Sequence, residues 1–353
     1  MGPTFAAWLG ISCAVVGGAG QVPDPLGRPS RFEFDETHMA SPFHIALYST
    51  DADAARRASR AAFDRIEALN KVLSDYDPES ELSRVSAAAG SGPVAVGVDL
   101  FDVLVRSKRL YERSDGLFDV TVAPVGRLWR RARRDRKLPD PVRIAEARRL
   151  VGSDKMVLDP HARTAELKLR GMKLDVGGIA KGYASQAAVD VLKSMGIRQA
   201  LVGGAGDIVA GDPPPGARGW RVAIAPVDPK QSYRPPTLFL ANAAVSTAGD
   251  AERFVVIDGH RYSHIVDPGT GMGREDRASV TVVAADGATA DALETAAYLL
   301  GPDRGLRLVD ETPGAAALYQ RATPEGVRTF ESSRFARVPR AAEDEASEGV
   351  SRP

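Results

Sequence analysis

The stretch Leu174–Gly196, L-D-V-G-G-I-A-K-G-Y-A-S-Q-A-A-V-D-V-L-K-S-M-G, constrains this chain more than any other. It opens with an acid, Asp175, passes through Gly177 and Gly178, and then takes on a helical period. Ile179, Tyr183, Ala187, Val191 and Met195 recur every fourth residue, with Ala184, Ala188 and Leu192 beside them, so one face is apolar. Gly196 is the expected stop. Two glycines at a helix start let an anion such as a phosphate approach the free backbone N–H groups closely. Lys181 falls in the first turn, where the helix dipole is already positive, so it either meets an anionic ligand or stands solvated above a Gly-rich turn. Neither G-x-x-x-x-G-K-S/T nor G-x-G-x-x-G is present, so this is not a Walker loop or a dinucleotide fingerprint.

The chain before this stretch alternates strands and helices. Arg31–Phe34 and Phe43–Tyr48 look like short strands around a His38-Met39-Ala40-Ser41 turn, and Asp51–Val72 is strongly helical. Leu73–Ser86 reads L-S-D-Y-D-P-E-S-E-L-S-R-V-S. Pro78 breaks the helix and Ser80 can cap a short new one, which leaves Tyr76 on a loop, free to stack on a planar ligand. Asp99–Arg113 is a further amphipathic helix, followed by a turn at Gly116 and by Leu117-Phe118-Asp119. The run Arg130–Lys137, R-R-A-R-R-D-R-K, has no interleaved aromatics, and the chain's 46 basic and 46 acidic residues cancel. That balance argues for a solvated helix face and against a nucleic-acid surface.

Beyond the central stretch, Ala200–Gly211 is a strand running into a Gly turn and Asp207, and Trp220–Pro226 and Thr237–Asn242 are strands. Asp258-Gly259 between two β-rich runs predicts a hairpin whose second arm delivers His264, Ile265 and Asp267-Pro268. Ala278–Ala284 is a strand, Ala288–Leu300 a helix stopped by Gly301, and Ala315–Gln320 with Val327–Ser332 a closing hairpin. On that helix Asp291 and Thr295 are four apart and share a face, with Glu294 adjacent. A carboxylate, a hydroxyl and a backbone carbonyl suit Mg²⁺ when phosphate oxygens complete its octahedron; the same pair also fits a capped, half-buried surface helix.

At the N-terminus, Phe5–Ala19 is uncharged, mostly apolar and too short and Gly-rich for a comfortable membrane span. It reads as the core of an export signal within a leader over residues 1–21, although no Lys or Arg precedes it. Cys13, the sole cysteine, lies in L-G-I-S-C, which loosely resembles a bacterial lipoprotein box and offers a lipid anchor. Without another cysteine, disulfides and thiolate metal sites are excluded from the folded part. No linker-like interruption divides residues 35–335, which are expected to form one domain, and residues 337–353 are expected to be a disordered tail.

D-V-G-G-I-A-K-G-Y-A resembles the signature of the ApbE family, the FAD:protein FMN transferases and flavin-trafficking proteins. Other blocks resemble the family pattern in order over roughly residues 35 to 320, among them S-D-Y-D-P-E-S-E-L-S-R-V-S, G-L-F-D-V-T-V-A-P-V-G-R-L-W, H-I-V-D-P-G-T-G and A-D-A-L-E-T. The resemblance implies an α+β fold, with mixed or antiparallel sheets flanked by helices in one T-fold-like catalytic domain. It implies transfer of FMN from FAD to a threonine hydroxyl of an acceptor flavoprotein, with release of AMP. Carried onto this sequence, Met39, Tyr76, Leu117, Phe118, Asp119, Asp175, Lys181 and Ile265 contact FAD, with Tyr76 against the isoalloxazine. Asp291, Thr295, the Gly178 carbonyl and Glu294 hold Mg²⁺, Lys181 adds a point charge, and His264 is the expected base. Acceptors facing the outer side of the cytoplasmic membrane agree with the leader. Gly203, Ala205, Ala248, Ala251 and Ser86 depart from the family pattern. Two further readings remain: an Mg²⁺-dependent FAD pyrophosphatase using the same site, and a non-catalytic FAD carrier. Retention of Asp291, Thr295 and Lys181 argues against the carrier.

Overall fold

The expected N-terminal strands form one long hairpin in the computed structural model, which describes residues 28–249 and 254–341. β1 (Ser30–His38) and β2 (Ser41–Ser49) turn through Met39 and Ala40, both at positive φ (49° and 55°). α1 (Ala52–Leu73) begins where the Asp51 carboxylate accepts from the N–H groups of Asp53 and Ala54. Ser80 likewise caps α2 (Glu81–Ala87), accepting from Ser83 N. β3 (Val94–Ala95), α3 (Val98–Arg113), α4 (Ala123–Asp135) and α5 (Pro141–Arg148) lead to β4 (Met156–Asp159) and β5 (Thr164–Leu167). α6 (Ala180–Ser194) is followed by β6 (Ala200–Gly204), β7 (Asp207–Ala210), β8 (Trp220–Ala223), β9 (Thr237–Leu240) and β10 (Ala243–Gly249). The chain closes with β11 (Phe254–Ile257), β12 (His260–Ser263), β13 (Ala278–Ala284), α7 (Gly287–Asp310), β14 (Ala316–Thr323) and β15 (Gly326–Glu331).

Eight strands make one sheet in the order β1-β2-β6-β7-β10-β13-β14-β15, and every neighbouring pair is antiparallel. This is the antiparallel form of the expected α+β architecture. Strand side chains alternate between faces. Ile45, Leu47, Val280, Val282, Ala317 and Tyr319 therefore join the main core with α1, α6 and α7, while Ala46, Val283, Ala316 and Leu318 join a second core with the β8–β9 ribbon. Cover on both faces explains why every residue of β13 is buried.

Three details differ from the sequence pattern. The buried stripe of α6 is Ala180, Ala184, Ala188 and Leu192 with Gly182, Ser185 and Val189, whereas Tyr183, Ala187 and Val191 are only partly buried and Met195 is exposed. The stripe takes in Gly182 because α6 meets the Gly287 backbone of α7 there, so at that point closeness of approach outweighs hydrophobicity. Gly301 does interrupt α7, at φ 79°, but Pro302 restarts it and the helix runs on to Asp310. Residues 339–341 lie along β9, with Phe239 N donating to Pro339 O and Ala341 N to Thr237 O, so the expected tail from Arg337 starts as ordered backbone. The leader and Cys13, Ala251 and residues 342–353 lie outside the described residues.

Candidate active site

α6 and α7 cross with their backbones touching at Gly182 and Gly287. A Cβ on Gly182 would sit 2.6 Å from Asp291 Cβ and 2.7 Å from the Gly287 carbonyl carbon; one on Gly287 would sit 2.8 Å from Val209 Cγ2. Only glycine fits at this distance. The crossing brings the first turn of α6 onto Asp291, whose Oδ2 accepts from Gly182 N at 2.8 Å. Lys181, beside Gly182, reaches the first residue of β7, with Nζ 2.5 Å from Asp207 Oδ2. Ser246 on β10 donates to the other oxygen of Asp207. Glu294 follows on α7, and the carboxylates of Asp207, Asp291 and Glu294 have oxygens within 4.8 Å of one another, all buried.

One ammonium faces three carboxylates here. Asp291 Oδ1 and Glu294 Oε2 are buried with no hydrogen-bond partner. Burial, reinforced by Asp207, pushes the Asp291 carboxyl up to about 7. Burial, with Asp207 and Asp291, also drives Glu294 well above the usual carboxylate range. For Lys181 burial works against the charge, but Asp207 and Asp291 outweigh it and hold the ammonium protonated above its ordinary range. Two orphaned oxygens in a site short of positive charge fit a hard divalent cation. Thr295 and Gly178 border the same place: a Cβ on Gly178 would lie 3.3 Å from Thr295 Oγ1 and 3.5 Å from Phe118 Cε2. The structure thus gathers Lys181, Gly178, Asp291, Glu294 and Thr295, and adds Asp207 and Ser246.

The Tyr76 loop and the Asp175 segment meet beside a cleft of about 240 Å³ lined by Tyr76, Ser86, Arg127, Lys173 and Leu174 among others. Leu174 N donates to Ser86 Oγ (3.0 Å), so the Ser that departs from the family pattern ties α2 to the central stretch. Asp175 N donates to Val120 O (2.7 Å), and its Oδ1 accepts from Gly177 N (3.0 Å). Arg130 joins the two segments through Asp75, Tyr76 and Asp175. The expectation of a solvated basic face therefore fails at Arg130, which turns inward to these acids.

The remaining expected residues are spread more widely. Met39, Leu117 and Ile265 are half-buried at the margin of the main core, and Phe118 is buried within it. Asp119 is buried, and burial raises its carboxyl despite hydrogen bonds from Thr121 N, Thr121 Oγ1, Ser153 N and Ser153 Oγ. Its oxygens thus join residues 119–121 to the Ser153 turn. His264, half-buried, directly follows β12. Asp207 was visible only as the acid closing the Gly turn after β6; its place beside Lys181 follows from strand pairing and not from any local signal. Arg130 carried no signal that separates it from its arginine neighbours.

The model of the ApbE family matches residues 39–319. An FAD:protein FMN transferase from Treponema pallidum is 31% identical over 330 residues, covering 88% of this chain and 90% of that protein. One from Haemophilus influenzae is 30% identical over 311 residues, covering 85% and 89%. The solved structure of the flavin transferase ApbE from Vibrio cholerae superposes with a TM-score of 0.79 at 28% identity, covering 88% of this chain and 99% of that one.

Proposed function

This chain belongs to the ApbE family, and we infer that it is an FAD:protein FMN transferase that works with Mg²⁺. The observation that carries the metal-dependent reading is the buried cluster of Asp207, Asp291 and Glu294 with its two unpartnered oxygens. In the reaction, a threonine hydroxyl oxygen of the acceptor bonds to the FMN-side phosphorus of FAD. The bridging P–O bond breaks, AMP leaves with the bridging oxygen, and the hydroxyl proton passes to a base. Such a displacement depends mostly on positioning and on neutralising charge.

Asp291, Glu294 and Asp207, with the Thr295 hydroxyl and the Gly178 carbonyl, are the oxygen donors that would hold Mg²⁺. When bound, Mg²⁺ supplies Lewis-acid stabilisation of the charge on a pyrophosphate. Lys181 fixes Asp207 and offsets part of the cluster's negative charge. Tyr76, 78% exposed, offers a ring face to the isoalloxazine, and Asp175 anchors the nucleotide side. His264 is assigned as the base that takes the threonine proton, since an imidazole titrates near ~6.5. The acceptor is a flavoprotein subunit carrying its threonine in a short flavinylation motif. We further propose that residues 1–21 direct export to the outer side of the cytoplasmic membrane, with Cys13 as the lipid attachment point. Mass spectrometry of the mature N-terminus tests this, and an intact Met1 would refute it.

Purified protein is incubated with FAD and Mg²⁺, with and without an acceptor bearing a D-x-x-T/S-G-A-T sequence. AMP release and covalent flavin fluorescence on a gel are followed. AMP together with a fluorescent acceptor band is the expected result. AMP without the band across several acceptors would mean that water replaces the hydroxyl, making the enzyme a pyrophosphatase. FAD binding with neither product would leave a carrier.

A further inference from the structure

Arg130 stands one residue after Trp129, whose Nε1 donates to Gly271 O at 2.7 Å and fixes this part of α4. From there Nη1 lies 2.9 Å from Asp75 Oδ2 and 3.6 Å from Asp175 Oδ2. The same nitrogen donates to Tyr76 Oη at 3.2 Å, and the guanidinium carbon is 5.2 Å from the Tyr76 ring centroid. One side chain thus touches an acid on the Tyr76 loop, an acid at the mouth of the Gly177–Gly178 turn, and the ring of Tyr76. The Tyr76 loop has other anchors, but they hold its backbone: the N–H groups of Tyr76 and Asp77 both donate to Ser74 Oγ at 3.2 Å. The ring itself, 78% exposed, has only Arg130 as a polar partner among the described residues.

We propose that Arg130 is the positioning residue of the flavin platform, joining the Tyr76 loop to the Asp175 segment and holding the Tyr76 ring in the orientation that stacks the isoalloxazine. The proposal rests on the reading that Tyr76 stacks the flavin. An exposed tyrosine can turn freely about χ1, and a stack formed on a free ring loses that freedom on binding. A guanidinium over the ring and against its hydroxyl removes the freedom beforehand. The planar fork suits this task because it meets two carboxylates and an aromatic face at once, which a lysine ammonium cannot. The Asp175 segment keeps its own ties, Asp175 N to Val120 O and Gly177 N to Asp175 Oδ1, so the loss of Arg130 falls on the Tyr76 side.

The test uses the full chain with two probes, FMN for the ring side and AMP for the nucleotide side, each titrated against Arg130→Ala, Arg130→Lys, Tyr76→Ala and the Arg130→Ala/Tyr76→Ala double variant. Tyr76→Ala and Arg130→Ala should each weaken FMN roughly tenfold, the scale of one aromatic stack, and leave AMP within about twofold. Arg130→Lys should fall between wild type and Arg130→Ala, and serves as the measured variant if Arg130→Ala folds poorly. In the Tyr76→Ala background, Arg130→Ala should add little, because a positioning residue has nothing left to position. An undiminished Arg130→Ala effect in that background, or an equal loss for AMP, would overturn the proposal. If Tyr76→Ala leaves FMN binding unchanged, the platform reading itself falls and takes this proposal with it.

Discussion

Gly182→Ala isolates what the α6–α7 crossing does for the site. The added methyl would sit 2.6 Å from Asp291 Cβ and 2.7 Å from the Gly287 carbonyl carbon. Carbon atoms rest at about 3.5–4.0 Å, so the helices must part by roughly 1 Å. Overpacking of this kind costs about 1–3 kcal/mol. Replacing Gly with Ala inside a helix returns about 1 kcal/mol of backbone propensity. The net loss of stability is then roughly 0–2 kcal/mol, which for a domain of this size lowers Tm by only a few degrees, at about 2–4 °C per kcal/mol. Activity should suffer far more. The displacement lengthens the 2.8 Å bond from Gly182 N to Asp291 and draws Lys181 and Asp207 away from Asp291 and Glu294. A misplacement of about 1 Å in a reacting constellation costs about 10²-fold in rate. AMP release at saturating FAD, titrated with Mg²⁺, should therefore drop about a hundredfold and need more metal to half-saturate, while thermal unfolding shifts little. Gly203→Ala is the control, since its Cβ would meet Ile208 Cγ1 at 3.5 Å, an ordinary contact, and both readouts should stay near wild type. A Gly182→Ala enzyme with wild-type rate and wild-type Mg²⁺ dependence would refute the claim that this crossing sets the geometry.

Asp291→Asn should reduce AMP release roughly 10²-fold or more by removing an anionic ligand, yet should not lower the Tm in EDTA, since it replaces a strained buried carboxyl with a neutral isostere; a large fall in Tm would contradict that reading. The same carboxyl predicts a pH dependence. Its pKa is raised from 3.8 to about 7, so its neutral form is favoured in the folded state. Its contribution is full below pH 4 and is lost as pH rises through 7. In EDTA, wild type should lose Tm relative to Asp291→Asn between pH 5.5 and 8, and Mg²⁺ should flatten the difference; a wild-type gain over that range would show the sign to be wrong. His264→Ala should slow FMN transfer about 10²-fold near neutral pH and abolish the acidic limb of the rate profile, and full activity at every pH would place the base elsewhere. Ala205 sits at φ 52° in the β6–β7 turn, where a side chain is strained by about 1–2 kcal/mol, so Ala205→Gly should raise Tm by a few degrees in a melting scan.

Much of this fold was legible because its signals are local. Ser80 caps a helix as its position announces, Asp258-Gly259 turns a hairpin with both residues at positive φ, and the seven apolar or small residues of Ala278–Ala284 form a strand. Local reading failed where a second surface decides. Hydrophobicity ranks Tyr183 and Val191 above Gly182 on α6, whereas contact between two helix backbones at Gly287 selects the glycine. The site divides in the same way. Asp291, Glu294 and Thr295 share one helix and Lys181 marks another, so their motifs were visible. Asp207 reaches them only because β7 pairs with β10 and lies beneath both helices, a consequence of topology that no window of sequence contains. That residue changes how the cluster is understood. Lys181 alone beside Asp291 and Glu294 would be a cation offered to a phosphate. With Asp207 bound to it, Lys181 is a counter-ion that lets three acids share a buried space, still leaving two carboxylate oxygens without partners. The cluster is therefore least comfortable when its acids are ionised and its cation absent. Stability and catalysis should accordingly respond together, and in opposite directions, when Asp291 loses its charge.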